Sequence, residues 1–187
     1  LADMVIVLPH WGTEYVYTPD SNQNYWTQLF LSLGVDVVIG THPHVLEPVE
    51  VVSDTKGHEM LVYYSLGNFV SNQDQKPRMI GGMAKMTLVK DETGCYVKNY
   101  NLTPVITQKL FGKKAITTYK LSDYTESLAS GNAIRNDSGC SDFSLSYCQT
   151  LVKQILGDDY DESTSELNVS LHPDGLVKDT SARSEER

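Results

Sequence analysis

The chain has 187 residues, 40% of them apolar, and a formal net charge of −9 from 15 basic and 24 acidic side chains. That size and apolar content suit one domain with a real core and exclude a disordered chain. The acidic balance excludes nucleic acid or an anionic membrane as the main partner, because phosphate recognition needs clustered Lys and Arg, and no apolar run approaches the roughly 18 residues that span a bilayer.

Leu1-Ala2-Asp3-Met4 runs at once into Val5-Ile6-Val7-Leu8, the pattern of a buried strand. A protein rarely starts inside its own core, so a truncated or processed chain is expected, and the lack of a signal peptide says nothing about compartment. Pro19-Asp20-Ser21 supplies a turn and a helix N-cap. Tyr25, Trp26, Leu29, Phe30 and Leu33 then recur at helical spacing, and Gly34 is placed to end the helix. Val35 to Ile39 is a second β-branched strand, which makes a β-α-β unit with parallel strands and a right-handed crossover.

Val45 to Val52 is extended, with Pro48 pushing it to a sheet edge or a break. Met60 to Ser65 is a strand closed by Leu66-Gly67-Asn68-Phe69. Met83 to Val89 and Tyr96 to Leu102 flank the turn signal Asp91-Glu92-Thr93-Gly94 and predict a β-hairpin, with Pro104 to Thr107 as a return strand. Leu121 to Ile134 and Phe143 to Leu156 have helical periodicity. From Gly157 onward nine acidic residues face three basic ones, which predicts a solvated tail. The expected layout is an α/β domain over residues 1–118, a helical appendage over 119–157 and an acidic, flexible tail over 158–187.

The three cysteines are Cys95, Cys140 and Cys148, with no CxxC pair. Cys140 and Cys148 are near enough to bridge in an exported protein; otherwise Cys148 is a buried helix residue.

His10 follows directly on the first strand, and His42 and His44 follow on the second. Parallel strands bring all three to one sheet edge, where open α/β folds bind ligands. Three imidazoles there make a reasonable ligand set for a transition metal. An extended Gly40-Thr41-His42-Pro43-His44 would aim both histidines of the pair the same way, with Pro43 stiffening the backbone. Glu14, four residues past His10, is open to orienting a histidine, to acid or base work, to contact with a cationic substrate, or to plain exposure. Asn68 is open to hydrogen-bonding substrate or to shaping its turn. Trp11 is read as a pocket wall or a packing residue, Tyr15 and Tyr17 as core or rim, and His58 and His172 as solvated surface residues.

The strings His10-Trp11-Gly12-Thr13-Glu14-Tyr15, Gly34-Val35-Asp36-Val37-Val38-Ile39-Gly40-Thr41-His42-Pro43-His44 and Tyr64-Ser65-Leu66-Gly67-Asn68-Phe69 resemble, in order and spacing, the second half of the bacterial poly-γ-glutamate capsule-synthesis (CapA-like) family. Gln23 also matches a glutamine of that family, and the resemblance covers roughly residues 1–107. The family is similar to the calcineurin-like metallophosphoesterases. The resemblance therefore implies part of a two-sheet sandwich with flanking helices, and divalent ions (Mn, Zn or Fe), two in the full-length protein. By resemblance His10 ligates one metal, and His42 and His44 are the closing His-x-His pair. Glu14 and Asn68 are the candidates for catalytic roles. The earlier carboxylate and Asn-His motifs of the superfamily have no counterpart here, and Gly67-Asn68-Phe69 is not the Asn-His motif, since no histidine follows Asn68. The resemblance implies an anionic polymer or a phosphorylated substrate, a site completed by an N-terminal half or another chain, and an extracytoplasmic, cell-surface setting with membrane association through a segment outside this sequence. A non-catalytic assembly or binding module with the same fold is the alternative.

Overall fold

A computed structural model describes residues 2–92, 94–110, 115–171 and 175–176. Strand β1 (Ile6–Val7) leads through helix α1 (Ser21–Ser32) to β2 (Val37–Ile39). Then come β3 (Val49–Ser53) and β4 (Glu59–Tyr63). These four strands form one sheet in the order β1-β2-β4-β3. β1 pairs with β2 and β2 with β4 in parallel, while β3 lies antiparallel at the edge. The β-α-β unit and the edge position of the Pro48 segment are thus as the sequence predicts, but β1 is a short edge strand with Ile6 and the adjoining Leu8 exposed, not the buried strand expected.

Helix α1 starts where Asp20 caps it. The Asp20 side chain accepts from the Gln23 backbone N–H at 2.8 Å, and the Gln23 side chain reciprocally accepts from the Asp20 N–H at 2.9 Å. The helix ends at Gly34, whose φ of 72° is open to glycine at little cost. Its buried face differs from the expected one. Gln23, Thr27 and Leu31 point inward, whereas Tyr25, Trp26 and Leu33 are exposed.

The second sheet is built from β5 (Ile80–Asp91), β6 (Gly94–Leu110), β7 (Ala115–Lys120), β8 (Tyr160–Asp161) and β9 (Glu166–Ser170). β5 and β6 are the predicted hairpin, although its turn residue Thr93 lies outside the described residues. Pro104 to Thr107 is no separate return strand. It continues β6, which pairs with β5 on one side and with β9 and β7 on the other.

Residues 160–170, placed by their polarity in the tail, carry β8 and β9. Leu167 is buried while Asn168 faces outward, the period of two that marks a half-buried strand. The remainder of the acidic tail, from 177 on, lies outside the described residues, as does His172.

The appendage is less regular than the periodicity predicts. A 3-10 turn (Leu121–Asp123), the short α2 (Glu126–Ser130) and a second 3-10 turn (Ala133–Asn136) replace the first helix. Buried Asn132 breaks it, donating to the Thr107 carbonyl and accepting from the Ile134 N–H. The second helix forms as α3 (Leu145–Leu156), capped by Ser144. One core joins all of these parts: Leu61 and Tyr63 of β4, Leu102 and Ile106 of β6, Phe143, Val152 of α3 and Leu167 of β9 belong to a single buried cluster. Cys140 and Cys148 are both buried in it and both free, and burial pushes the Cys148 thiol up to about 12, which makes it inert.

The two sheets are stitched at a backbone seam. Gly67 bridges Gly81, and the Gly82 N–H donates to the Leu66 carbonyl at 2.8 Å. A Cβ on Gly81 would lie 2.2 Å from the Asn68 carbonyl oxygen, so only glycine permits this approach.

Candidate functional site

The carboxyl ends of β1 and β2 bring the three histidines together. His10 bridges Thr41 in parallel register, and the Trp11 N–H donates to the Thr41 carbonyl at 3.0 Å. This extends the β1–β2 pairing past both strands and sets His10 beside His42. Their ring centroids are 4.4 Å apart, and those of His42 and His44 are 6.2 Å apart.

The His-x-His pair does not converge by strand alternation, as the sequence predicts. His42 has φ 112° and His44 has φ 60°, and the segment bends rather than extends. Among the described residues four non-glycine residues have positive φ, and three of them (Tyr15, His42, His44) belong to this site. Such conformations cost on the order of 1–3 kcal/mol each and persist where the surroundings impose them.

Asn68 sets the His44 ring. Its amide nitrogen donates to the carbonyls of His44 and Arg78, both at 3.1 Å. Its Oδ1 is therefore the acceptor facing His44 Nδ1 at 2.9 Å. Nδ1 then carries the hydrogen, which leaves Nε2 with the lone pair. Nε2 lies 3.9 Å from a Glu14 carboxylate oxygen on the exposed rim. Asn68 thus acts on His44, and Glu14 sits as an outer carboxylate beside it.

Three imidazoles are the donor type that transition ions accept. They are not a finished cage: among the described residues no group of three or more His, Cys, Asp or Glu is arranged to hold a metal ion.

Residues 1–73 match the family described as "Bacterial capsule synthesis protein PGA_cap". The chain is 36% identical over 104 residues to the PGA biosynthesis protein CapA of Bacillus subtilis (strain 168), covering 56% of this chain and 25% of that protein. It is 39% identical over 72 residues to the capsule biosynthesis protein CapA of Bacillus anthracis, covering 38% of this chain and 16% of that protein. The chain therefore spans a quarter or less of these curated relatives.

The matched segment contains every histidine of the site, and Asn68 with it. Trp11 is a packing residue first: it is buried, stacks on Tyr64, and its indole N–H donates to the Tyr64 carbonyl at 2.8 Å. It also walls a cleft of about 270 Å³ beside His10, together with Asn22, Trp26 and Phe30. Tyr15 lies on the rim, between His44, on which it stacks, and the Arg78 guanidinium, 3.6 Å from its ring centroid. His58, expected at the surface, is buried, with Nε2 2.9 Å from the Val35 carbonyl. A larger cavity of about 610 Å³ lies elsewhere, on the polar face of the second sheet. Its Asn101, Thr103, Glu166 and Asn168 side chains hydrogen-bond one another, as a solvated sheet face does.

Sequence reasoning missed Arg78 and the buried Glu47. Arg78 comes from a turn with no periodicity to mark it. Glu47 sits in the apolar run Val45-Leu46-Glu47-Pro48, and a lone carboxylate inside such a run is the signal that could have found it.

Proposed function

We propose that this chain is a segment of a capsule-polymer biosynthesis protein that carries the imidazole half of a metal-dependent, metallophosphoesterase-like hydrolase site. The observation that carries the reading is the gathering of His10, His42 and His44 at the ends of two parallel strands, two of them in strained backbone. His10 and His42 would share one ion. His44, its tautomer held by Asn68, would present Nε2 to the same ion or to a second one. Glu14 would orient His44 or exchange a proton with bound water. When bound, Mn, Zn or Fe would polarise the scissile group and lower the pKa of a water molecule. The substrate would be an anionic polymer or a phosphorylated precursor. The carboxylates that offset two metal charges would come from an N-terminal half or from another chain. The names of the relatives support an extracytoplasmic, cell-surface setting. Among the described residues no helix is long and apolar enough to cross a membrane; membrane association through a further segment is part of the same proposal.

The test is metal content and affinity. Purified chain titrated with Zn²⁺ or Mn²⁺ is expected to bind stoichiometrically, and His42→Ala to lose at least about tenfold in affinity. Wild-type protein that takes up no metal, alone or within the full-length protein, overturns the reading. The all-imidazole make-up of the cluster favours one second reading, a non-catalytic assembly module that keeps the fold. That module predicts no phosphodiester hydrolysis by metal-loaded full-length protein.

A further inference from the structure

Behind the histidines runs a chain of side chains that no catalytic role uses. Thr13, just past His10, donates its hydroxyl to Asp20 at 2.7 Å. Asp20 accepts from the Gln23 backbone N–H, and the Gln23 carboxamide donates from Nε2 to Glu47 Oε2 at 2.5 Å. Glu47 lies three residues past His44 and is anchored through its own N–H to the Ser65 carbonyl at 3.1 Å. Gln23 and Glu47 are both fully buried. The path thus runs from the His10 loop, through the first turn of α1, to the segment that carries His42 and His44.

Two features show that this is more than packing. Gly12 sits at φ +85° directly against the Gln23 carboxamide, where an added Cβ would lie 2.7–2.9 Å from its Cδ, Oε1 and Nε2 atoms. The amide therefore bears on the His10 loop from beneath while its nitrogen holds Glu47. Second, the pair is a costly way to fill space. Burying a carboxyl and a carboxamide gains little stability over an apolar pair of the same shape, even with the Gln23 hydrogen bonds to Glu47 and to the Asp20 N–H, and among the described residues Glu47 Oε1 has no hydrogen-bond partner. A directional contact at this place fixes a distance, which apolar packing does not.

We infer that Gln23 and Glu47 are positioning residues: their hydrogen bond is a strut that sets the spacing between the His10 loop and the His42–His44 segment. The inference rests on the reading of the three histidines as one site. Breaking the strut lets the segments drift, and a site tolerant of only about 0.5 Å loses its shape.

The experiment compares Gln23→Met, Glu47→Leu, their double variant and Glu47→Gln with wild type. The readouts are the ¹⁵N-detected imidazole signals of His10, His42 and His44 in metal-free protein, and Zn²⁺ affinity. Gln23→Met keeps the side-chain length and loses the hydrogen bonds. It is expected to move the His10 and His44 signals and to weaken Zn²⁺ by about tenfold. Glu47→Leu should do the same, and the double variant should be no worse than the poorer single one, as for two ends of one strut. Glu47→Gln, whose amide oxygen still accepts from Gln23, should stay within about threefold of wild type. Wild-type imidazole signals in a cooperatively folded Gln23→Met overturn the strut. So does a Glu47→Gln as damaging as Glu47→Leu, because charge would then be what matters. If wild type binds no zinc, the metal reading fails, and the imidazole signals still decide the strut.

Discussion

At the scale of single residues, two groups make separable predictions. Burial raises the Glu47 carboxyl from its ordinary 4.5 to about 7; the Gln23 hydrogen bond opposes this rise and the Asp20 carboxylate adds to it. The folded state therefore keeps a proton that the unfolded chain has already lost. Stability from this group is full below pH about 4.5 and drains away as pH rises through about 7, by an amount on the order of 1–3 kcal/mol. Denaturant unfolding at pH 5 and pH 8 checks this: Glu47→Gln should gain on wild type as pH rises, and parallel curves would rule it out. The second group is Asn68. Asn68→Leu removes the only acceptor described for His44 Nδ1, so the ¹⁵N shifts of His44 should change from one fixed tautomer to an average of two. The histidines themselves were legible in the sequence, because they lie just past two β-branched runs. The positive φ at His42 and His44 was not, since neither residue type announces a left-handed backbone. The strut was hidden for another reason: Gln23 and Glu47 are 24 positions apart, and nothing local in the sequence pairs them, although Glu47 inside its apolar run hints at burial.

At the scale of elements, helix α1 shows where pattern reading works and where it fails. Both of its ends were legible, in Asp20 and Gly34, because capping is local chemistry. Its buried face was not. Apolar residues at helical spacing are expected to face the core, yet here the inner face carries Gln23 and Thr27, leaving Tyr25 and Leu33 outside. The strut claims the inner face, and tertiary contact overrides the hydrophobic pattern. The cap serves both helix and site, so Asp20→Ala should cost about 1 kcal/mol of stability by urea unfolding. It should also release Thr13. Strand β9 was missed because its alternation is diluted by polar residues on the solvent side. The long β6 was legible only in pieces, because Pro104 reads as a strand break and here sits within a paired strand.

At the scale of the whole molecule, the parts described as domain, appendage and tail share one core. Tyr160, Leu167 and Leu176 are buried in the same cluster as Leu61 and Ile106. Removing residues 158–187 should therefore strip a strand from β6 and expose apolar surface worth several kcal/mol. Thermal unfolding is expected to fall by 10 °C or more, on the order of what two large buried side chains contribute; an unchanged midpoint would show that the tail strands are ornamental. The hairpin of β5 and β6 bears also on the order of events during folding. Its strands are joined by a short turn, so its contacts are local and can form in microseconds. The parallel pairing of β1, β2 and β4 must instead close long loops before any contact rewards it. The seam at Gly67 and Gly81 hangs the second process on the first. Amides of the hairpin should gain protection from exchange early in refolding, and those of β1 and β2 last, so that the histidines meet only once everything else is already in place.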